Sequence, residues 1–165
     1  MPISTPEKRL LLFGASRGLG LAIAEQYLKL GWRVVATVRN GSKTALHDLV
    51  GKADGRLDIE TVDINDPAQV TALRGRLGSD RFDLMFVNPG VTNDDRETIA
   101  DVSTEEFVRV MVTNALSPMR VVEGFQDLCR RRAPSQSCRP VRAASVTTRR
   151  AVTRFTGPAR PPSIP

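Results

Sequence analysis

The sequence predicts an α/β fold: a doubly wound parallel sheet with helices on both faces, incomplete at its C-terminal side. Short apolar runs with strand character alternate with helical patterns, and glycine or polar turns follow the runs. The balance of acidic and basic residues then changes sharply near Arg130. Strands that alternate with helices at this spacing pair in parallel, and right-handed crossovers place the helices against the sheet.

The stretch Leu10–Leu30 organises the rest of the chain. An apolar strand, Leu10–Phe13, precedes Gly14, Gly18 and Gly20, and a helix follows them. The helix positions that are predicted to face the sheet are Leu19, Ala22, Ile23, Gln26, Tyr27 and Leu30.

The three glycines and the two residues between them have the chemistry of a phosphate-binding turn. Gly14 permits the reversal of the chain, Gly18 lets a phosphate approach the backbone, and Gly20 lets the helix lie close to the sheet. The helix N-terminus offers unpaired N–H groups to a diphosphate, and Ser16 and Arg17 add a hydroxyl and a cation. The pattern predicts nucleotide binding, with a plain strand–helix turn as the alternative.

The same alternation continues to residue 129. The further predicted strands are Arg33–Val38, Leu57–Val62 and Asp83–Val87. The further predicted helices are Lys43–Gly51, one from Pro67 to about Leu77 capped by Asp66, and one from Ser103 to about Cys129 with a kink at Pro118.

Composition limits the class of protein. A length of 165 residues with 41% hydrophobic residues suits one globular domain, and no apolar run approaches the ~20 residues of a membrane span. The run Leu10–Phe13 is too short for a signal peptide, so the predicted location is the cytoplasm. Cys129 and Cys138 match no metal-ligand spacing, so free thiols and no metal site are predicted. The one histidine, His47, is predicted to lie on the surface.

Two segments of opposite charge make up the chain. Residues 128–165 contain nine arginines and no lysine or acid, so residues 1–127 hold 15 basic and all 18 acidic side chains. We therefore predict a nucleotide-binding domain over residues 1–129 and an arginine- and proline-rich, disordered tail over residues 130–165. An arginine-rich tail also permits salt-sensitive contact with nucleic acid, although Phe155 is its only aromatic residue.

Several motifs in order resemble the short-chain dehydrogenase/reductase family over residues 8–127. Gly14–Gly20 is similar to its cofactor loop, and Asp63-Ile64 resembles its adenine-contacting pair. Asn88-Pro89-Gly90 is similar to its Asn-Ala-Gly motif, with proline in place of alanine. Asn114 resembles the helix asparagine that supports the family's proton relay. The resemblance implies a Rossmann-like fold and an oxidoreductase that acts on a carbonyl/alcohol pair.

On this resemblance the cofactor is a nicotinamide dinucleotide. Val38 ends the second strand and is followed by Arg39 rather than by an acid, which favours NADP(H) over NAD(H). Arg39 and Arg17 are suited to a forked contact with a 2′-phosphate, although a solvated turn residue is the alternative for Arg39. The predicted cofactor-binding residues are Gly14, Ser16, Arg17, Gly18, Leu19, Gly20, Arg39, Asp63, Ile64, Asn88 and Gly90.

The catalytic pair that the family uses is absent from the sequence. Members of the family transfer the proton with a tyrosine whose pKa is lowered by a lysine four residues later. The only tyrosine here is Tyr27, and the lysines are Lys8, Lys29, Lys43 and Lys52, so no such pair exists. Ser145 lies near the expected catalytic serine without a strand pattern around it. We predict that the chain keeps cofactor binding and lacks turnover.

A change of reading frame is our hypothesis for the origin of the tail, which codon degeneracy allows without requiring it. Twenty of the residues 130–165 are Arg, Pro or Ala. A GC-rich gene that is read out of frame often gives such a composition. From Val146 to Ile164 the codons permit the shifted reading Asp-Asn-Thr-Ala-Gly-Arg-Tyr-Glu-Val-Tyr-Arg-Ala-Ser-Lys-Ala-Ala-Leu-Asn. This reading contains Tyr-x-x-x-Lys at the family's spacing. The hypothesis is a frameshift between about Arg130 and Val146, natural or from sequencing.

The alternatives to an enzyme fragment are a non-catalytic NADP(H)-binding relic or sensor, and a nucleic-acid binder that uses the tail. The resemblance places further strands and a helix in the lost part. Their loss leaves an edge of the strand Asp83–Val87 uncovered and makes oligomerisation doubtful. The substrate is not predictable, because the family's substrate loop belongs to that part.

Overall fold

The computed structural model describes residues 7–94 and 96–130. Its strands are β1 (Arg9–Phe13), β2 (Arg33–Val38), β3 (Leu57–Thr61) and β4 (Leu84–Val87). They form one parallel sheet in the order β3-β2-β1-β4. The chain therefore runs outward from β1 to β3 and returns to the other side of β1 for β4. This confirms the predicted sheet and places the reversal of strand order between β1 and β4.

Helices cover both faces of the sheet, as predicted. They are α1 (Gly18–Lys29), α2 (Pro67–Leu77), α3 (Thr104–Met111) and α4 (Ser117–Phe125), with a π-helical turn (Val112–Leu116) between α3 and α4. Two 3₁₀ turns, His47–Lys52 and Gln126–Leu128, complete the described elements.

The central strand β1 contributes to two separate cores. Leu10 and Leu12 face α1, whereas Leu11 and Phe13 face α2 and α4, and none of the four has any exposed surface. Such a continuous apolar run is typical of a parallel strand that is buried on both faces. The core on the α2 and α4 face includes Leu73, Leu77, Met85, Val121, Phe125 and Leu128.

The buried face of α1 differs from the prediction. Gly20, Ala24 and Leu28 are buried, whereas Leu19 and Leu30 are 47% and 60% exposed. The cause is Gly20, which packs against the backbone of the turn after β1 and so fixes the rotation of α1 about its axis. Residues four and eight positions later then share its face. Of the predicted face, Ile23 and Tyr27 are half-buried and pack against this core, as expected. The prediction is wrong for the exposed residues Leu19, Ala22, Gln26 and Leu30.

The predicted helix Lys43–Gly51 is also wrong in its form. The segment contains a turn and then the 3₁₀ turn His47–Lys52. Nδ1 of His47 accepts a hydrogen bond from the Thr44 backbone N–H at 3.1 Å and lies equally close to the Thr44 hydroxyl. Such local side-chain contacts compete with α-helical hydrogen bonds. The half-buried His47 therefore stabilises a turn.

The predicted caps of α2 and α3 are confirmed. Asp66 accepts hydrogen bonds from the backbone N–H groups of Ala68 and Gln69, and Pro67 occupies the first turn of α2. Ser103 accepts from the backbone N–H of Glu106 at the start of α3. The Glu106 carboxylate, however, pairs with Arg109 instead of returning to the cap.

The helix that the sequence predicts over 103–129 is divided. The π-helical turn Val112–Leu116 occurs where the sequence predicts a kink, just before Pro118. Proline lacks an N–H group and crowds the carbonyl four residues earlier, and a widened turn relieves that crowding. The turn is important because Thr113 and Asn114 both lie within it.

At the end of the described chain, residues pair beside β4. The Phe82 N–H donates to the Leu128 carbonyl at 2.9 Å, and the Arg130 N–H donates to the Phe82 carbonyl at 2.8 Å. These bonds form a parallel bridge between Phe82 and Cys129 on the side of β4 that faces away from β1. No helix in the described part of the chain is long and apolar enough to cross a membrane.

Candidate functional site: a cleft at the carboxyl ends of the strands

A cleft of about 480 Å³ opens at the carboxyl ends of the strands, beside the reversal of strand order. Ligands of open α/β sheets bind at this position. The cleft is lined by Gly14, Ser16, Arg17, Gly18, Thr37, Arg39, Asn40, Thr44, Val62, Asp63, Ile64, Asn65, Asn88, Pro89, Gly90, Val91 and Thr113. Of the described residues that line the cleft, Asp63 is the only acidic one.

The glycine turn has no room for side chains at two positions. A Cβ on Gly20 would lie 2.0 Å from the Gly14 carbonyl oxygen, and one on Gly14 would lie 2.9 Å from the Pro89 nitrogen. Gly14 also has a φ of +78°, in the left-handed region that favours glycine. The turn, the start of α1 and the loop after β4 therefore pack backbone against backbone. This leaves the N-terminus of α1 facing the cleft.

Gly18 has a different environment. Its φ is +57°, and a Cβ there would meet nothing within 4 Å. The open space beside Gly18 belongs to the cleft, at the first residue of α1. This arrangement fits a diphosphate, because backbone N–H groups and the helix dipole favour an anion at such a point.

Thr37 ties the glycine turn to the end of β2. Its hydroxyl accepts a hydrogen bond from the Gly14 N–H at 3.1 Å, and its carbonyl accepts one from the Ala15 N–H at 2.9 Å. Thr37 is only 2% exposed. Its contacts hold the turn in place. A threonine within an apolar strand has no distinguishing sequence pattern, so sequence reasoning missed this residue.

Asn88 ties the same turn to β4. Its Nδ2 donates to the Gly14 carbonyl at 3.3 Å, and its backbone N–H donates to the Phe13 carbonyl at 3.0 Å. The Gly14 region is thus held from both sides, by Thr37 of β2 and by Asn88 after β4.

Two exposed arginines, Arg17 and Arg39, give the cleft its charge. They follow β1 and β2 and line the cleft together. Within the described residues, neither forms an ion pair. The turn after β2 brings no carboxylate into the lining. This electrostatic arrangement favours an anionic group between the ends of β1 and β2.

The opposite end of the cleft combines apolar and polar walls. Val62 and Ile64 are buried beside Asp63, whose Oδ1 accepts a hydrogen bond from the Asn65 N–H at 2.9 Å. Asn65 donates through Nδ2 to the Thr113 hydroxyl at 2.9 Å. The π-helical turn is therefore bonded to the loop after β3. Sequence reasoning missed both Asn65 and Thr113.

Asn114 lies behind the cleft and does not line it. Its Oδ1 accepts from the Val91 N–H at 2.8 Å, and its Nδ2 donates to the Val91 carbonyl at 2.7 Å. Leu19 and Gly20 are the other predicted site residues that are absent from the lining. Gly20 packs against the backbone of the turn at Gly14, whereas the Leu19 side chain is largely exposed. The other predicted cofactor-binding residues line the cleft.

Tyr27 is remote from this chemistry. Its ring packs edge-to-face against the Trp32 ring, with the two ring centroids 4.8 Å apart. The centroid of the Phe86 ring lies 6.5 Å away, on the same α1 face of the sheet. No tyrosine or lysine lines the cleft among the described residues.

The fold and the cleft define a dinucleotide-binding domain of the Rossmann type. The family model described as short chain dehydrogenase matches residues 8–156. The chain belongs to the short-chain dehydrogenase/reductase family, as its motifs predict.

Two solved structures show the likeness in detail. A short-chain dehydrogenase/reductase of Burkholderia multivorans with bound NADP is 53% identical, with a TM-score of 0.73 over 76% of this chain and 55% of that one. A carbonyl reductase of Pseudomonas aeruginosa PAO1 in complex with NADP is 29% identical, with a TM-score of 0.70 over 74% of this chain and 56% of that one.

Among curated relatives, the 3-oxoacyl-acyl-carrier-protein reductase of Escherichia coli K12 is 31% identical over 115 residues, which are 67% of this chain and 45% of that protein. The chain spans about half the length of the curated relatives it matches.

Proposed function

We propose that this chain contains the NADP(H)-binding part of a short-chain oxidoreductase that acts on a carbonyl/alcohol pair. The observation that carries the proposal is the pair of arginines, Arg17 and Arg39, in a cleft whose turn after β2 brings no acid into the lining. An acid at that point would bind ribose hydroxyls and repel a 2′-phosphate. The NADP-bound relatives from Burkholderia multivorans and Pseudomonas aeruginosa support this choice of cofactor.

Each part of the dinucleotide has residues that would hold it. The N–H groups around Gly18 would bind the diphosphate, and Arg39 and Arg17 would bind the 2′-phosphate. The apolar Val62 and Ile64, with the Asp63 carboxylate, would hold the adenine. When bound, the nicotinamide supplies hydride to a carbonyl or takes it from an alcohol.

We propose that the chain binds the cofactor without catalysing its reaction. The sequence has no Tyr-x-x-x-Lys, and its one tyrosine packs in a core. Asn114 is then a supporting residue whose catalytic partners are missing. A non-catalytic NADP(H)-binding relic or sensor is the alternative function that the cleft favours.

The proposed origin of this state is a frameshift between about Arg130 and Val146. The change of composition near Arg130 and the shifted reading with Tyr-x-x-x-Lys support it. Arg131–Pro165 and Cys138 lie outside the described residues, so the proposed tail and any nucleic-acid contact through it stay predictions. Oligomeric state and a cytoplasmic location stay predictions as well.

Direct titration of the 165-residue chain with NADPH and NADH tests the cofactor assignment. We expect NADPH to bind at least tenfold more tightly. Arg39→Glu should abolish that preference, because it replaces a cation with an acid at the phosphate position. Arg81→Glu is the matched control, since Arg81 is exposed and, among the described residues, its side chain donates hydrogen bonds only to the nearby Ser79 and Asp80 carbonyls. Absence of NADPH binding at millimolar concentration would refute the proposal.

Two further measurements test the remaining claims. Steady NADPH oxidation by the purified chain with carbonyl substrates would contradict the loss of catalysis. Resequencing codons 125–150, together with the intact mass of the protein, tests the frameshift. A missing or extra base implies a natural continuation through Tyr-x-x-x-Lys, whereas an unchanged frame and a mass that fits 165 residues imply a truncated relic.

A further inference from the structure

A second cavity of about 320 Å³ adjoins the cleft and is bordered by three arginines. Its lining is Arg17, Arg39, Gly90, Val91, Thr92 and Arg109, of which the first four also line the main cleft. Arg109 comes from α3, whereas Arg17 and Arg39 come from the turns after β1 and β2. Three elements thus direct cations towards one opening.

Arg109 is held in place by two contacts. Its guanidinium donates to the Glu106 carboxylate through Nε at 2.8 Å and through Nη2 at 2.5 Å. Nη2 also donates to the Thr92 carbonyl at 3.2 Å. The pair holds the pKa of Glu106 below its ordinary value, chiefly through the hydrogen bond from Arg109. Glu106 therefore stays ionised near neutral pH.

The guanidinium of Arg109, which lines the second cavity, keeps unused donor capacity. Arginine has five N–H donors, and both N–H groups of Nη1 are without a partner among the described residues. Arg17 and Arg39 line the same cavity and form no ion pair within the described residues. A phosphate group in this second cavity would therefore lie among three arginines.

We propose that Arg109 is a third phosphate-binding arginine, which binds a phosphate of the dinucleotide from the second cavity that it lines with Arg17 and Arg39. Glu106 competes for the same guanidinium, so it neutralises Arg109 in the free protein and weakens cofactor binding. This inference rests on the proposed function. It adds a residue on α3 that no predicted cofactor motif contains.

Two substitutions with opposite expected effects separate this role from support of the loop. Arg109→Gln removes the phosphate contact and should weaken NADPH binding about tenfold, because charge-assisted hydrogen bonds are the strong ones. Glu106→Gln releases Arg109 from its competitor and should tighten NADPH binding about threefold. If Arg109 only supports Thr92, Glu106→Gln weakens binding or leaves it unchanged, and the proposal is wrong.

Matched controls come from a similar pair outside the cleft. Arg76 donates to Glu60 through Nε and Nη2, and neither residue lines either cavity. Arg76→Gln and Glu60→Gln make the same changes in net charge. Each should change NADPH affinity less than twofold. Equal effects in the two pairs would reduce the result to general electrostatics and overturn the proposal.

The affinities of Arg109→Gln for NADPH and for NADH show which phosphate of the dinucleotide Arg109 contacts. A loss on Arg109→Gln that is confined to NADPH assigns the 2′-phosphate, and an equal loss for both assigns the diphosphate. If the unaltered chain binds NADPH and Arg109→Gln binds it equally well, the inference fails while the proposed function stands. If the unaltered chain binds neither nucleotide, the proposed function has failed, and the inference with it.

Discussion

The side chain of Asn114 binds both backbone polar groups of Val91, as a neighbouring strand would. Its Oδ1 accepts the Val91 N–H at 2.8 Å, and its Nδ2 donates to the Val91 carbonyl at 2.7 Å. Asn114 belongs to the π-helical turn, and Val91 to the loop that lines the cleft after β4. One carboxamide therefore holds the wall of the cleft against the helix behind it.

The first prediction concerns this carboxamide. Asn114→Asp keeps an acceptor for the Val91 N–H but places a carboxylate against the Val91 carbonyl. We expect a loss of about 1 kcal/mol in the free energy of unfolding, at the low end of the cost of leaving a buried polar group unpaired, because Val91 and Asn114 are only partly buried. Urea denaturation at pH 7 measures it. Asn93→Asp is the control, since Asn93 makes one long contact with the Asp94 carbonyl, and an equal loss there would contradict the prediction.

The second prediction uses one substitution at two glycines. Gly20→Ala places a Cβ 2.0 Å from the Gly14 carbonyl, so the turn or α1 must move. We expect destabilisation of about 1–3 kcal/mol or more, as for overpacked cores. Gly75→Ala, within α2 and with nothing within 4 Å, should instead stabilise by about 0.5–1 kcal/mol. The thermal unfolding midpoints of the two variants measure this. A shift of the same sign in both midpoints would refute the close packing that we assign to Gly20.

The third prediction concerns the hydrogen bonds between the loop after β3 and the helices behind it. Ser117 donates to Asn65 Oδ1 at 2.7 Å, and Asn65 Nδ2 donates to the Thr113 hydroxyl at 2.9 Å. Thr113→Val and Ser117→Ala should each cost about 1–2 kcal/mol, because each leaves part of the Asn65 amide unpaired. In a chain that already carries Asn65→Ala, each of these two substitutions should lower the free energy of unfolding by less. Full additivity in this double-mutant cycle would show that the network is not coupled.

The fourth prediction concerns pH. A hydrogen bond from the Gln69 side chain, followed by backbone hydrogen bonds from Gln69 and Ala68, lowers the pKa of Asp66 below its ordinary value of 3.8. A lowered pKa in the folded state stabilises the protein fully above the unfolded pKa, and this stabilisation is lost as pH falls through the folded value.

Asp66→Asn and Asp66→Ser test this pH dependence, because both variants keep an N-cap acceptor without the charge. The difference in stability between the unaltered chain and each variant should narrow as pH falls from 6 to 3. Urea midpoints at several pH values measure it, and a difference that stays constant would disagree with the lowered pKa.

Much of the fold is predictable because its signals are local. Apolar runs locate all four strands, and Asp66 and Ser103 mark the starts of two helices through side chains that bond the next turn. The glycines and Asn88 locate the cleft for the same reason. The prediction for the α1 face fails in part because its rotation depends on the contact of Gly20 with Gly14, which no periodicity reveals.

The remaining site residues depend on tertiary contacts. Thr37, Asn65 and Thr113 are common polar residues whose partners lie on other elements, between 23 and 48 positions away in the sequence. Arg109 belongs to the amphipathic helix α3, where an arginine typically faces solvent. Their roles become visible only when the ends of the strands are brought together.

The hydrogen bonds that join the walls of the cleft in the described part of the chain lie between residues 14 and 117. Gly14 bonds with Thr37 and Asn88, Val91 with Asn114, and Asn65 with Ser117. A ribosome adds roughly 5–20 residues per second from the N-terminus. The residues that form the cleft are therefore synthesised before the residues beyond 130. A ligand that binds only the folded form stabilises it according to its concentration. On the proposed function, NADPH at concentrations above its dissociation constant therefore raises the folded fraction of this chain.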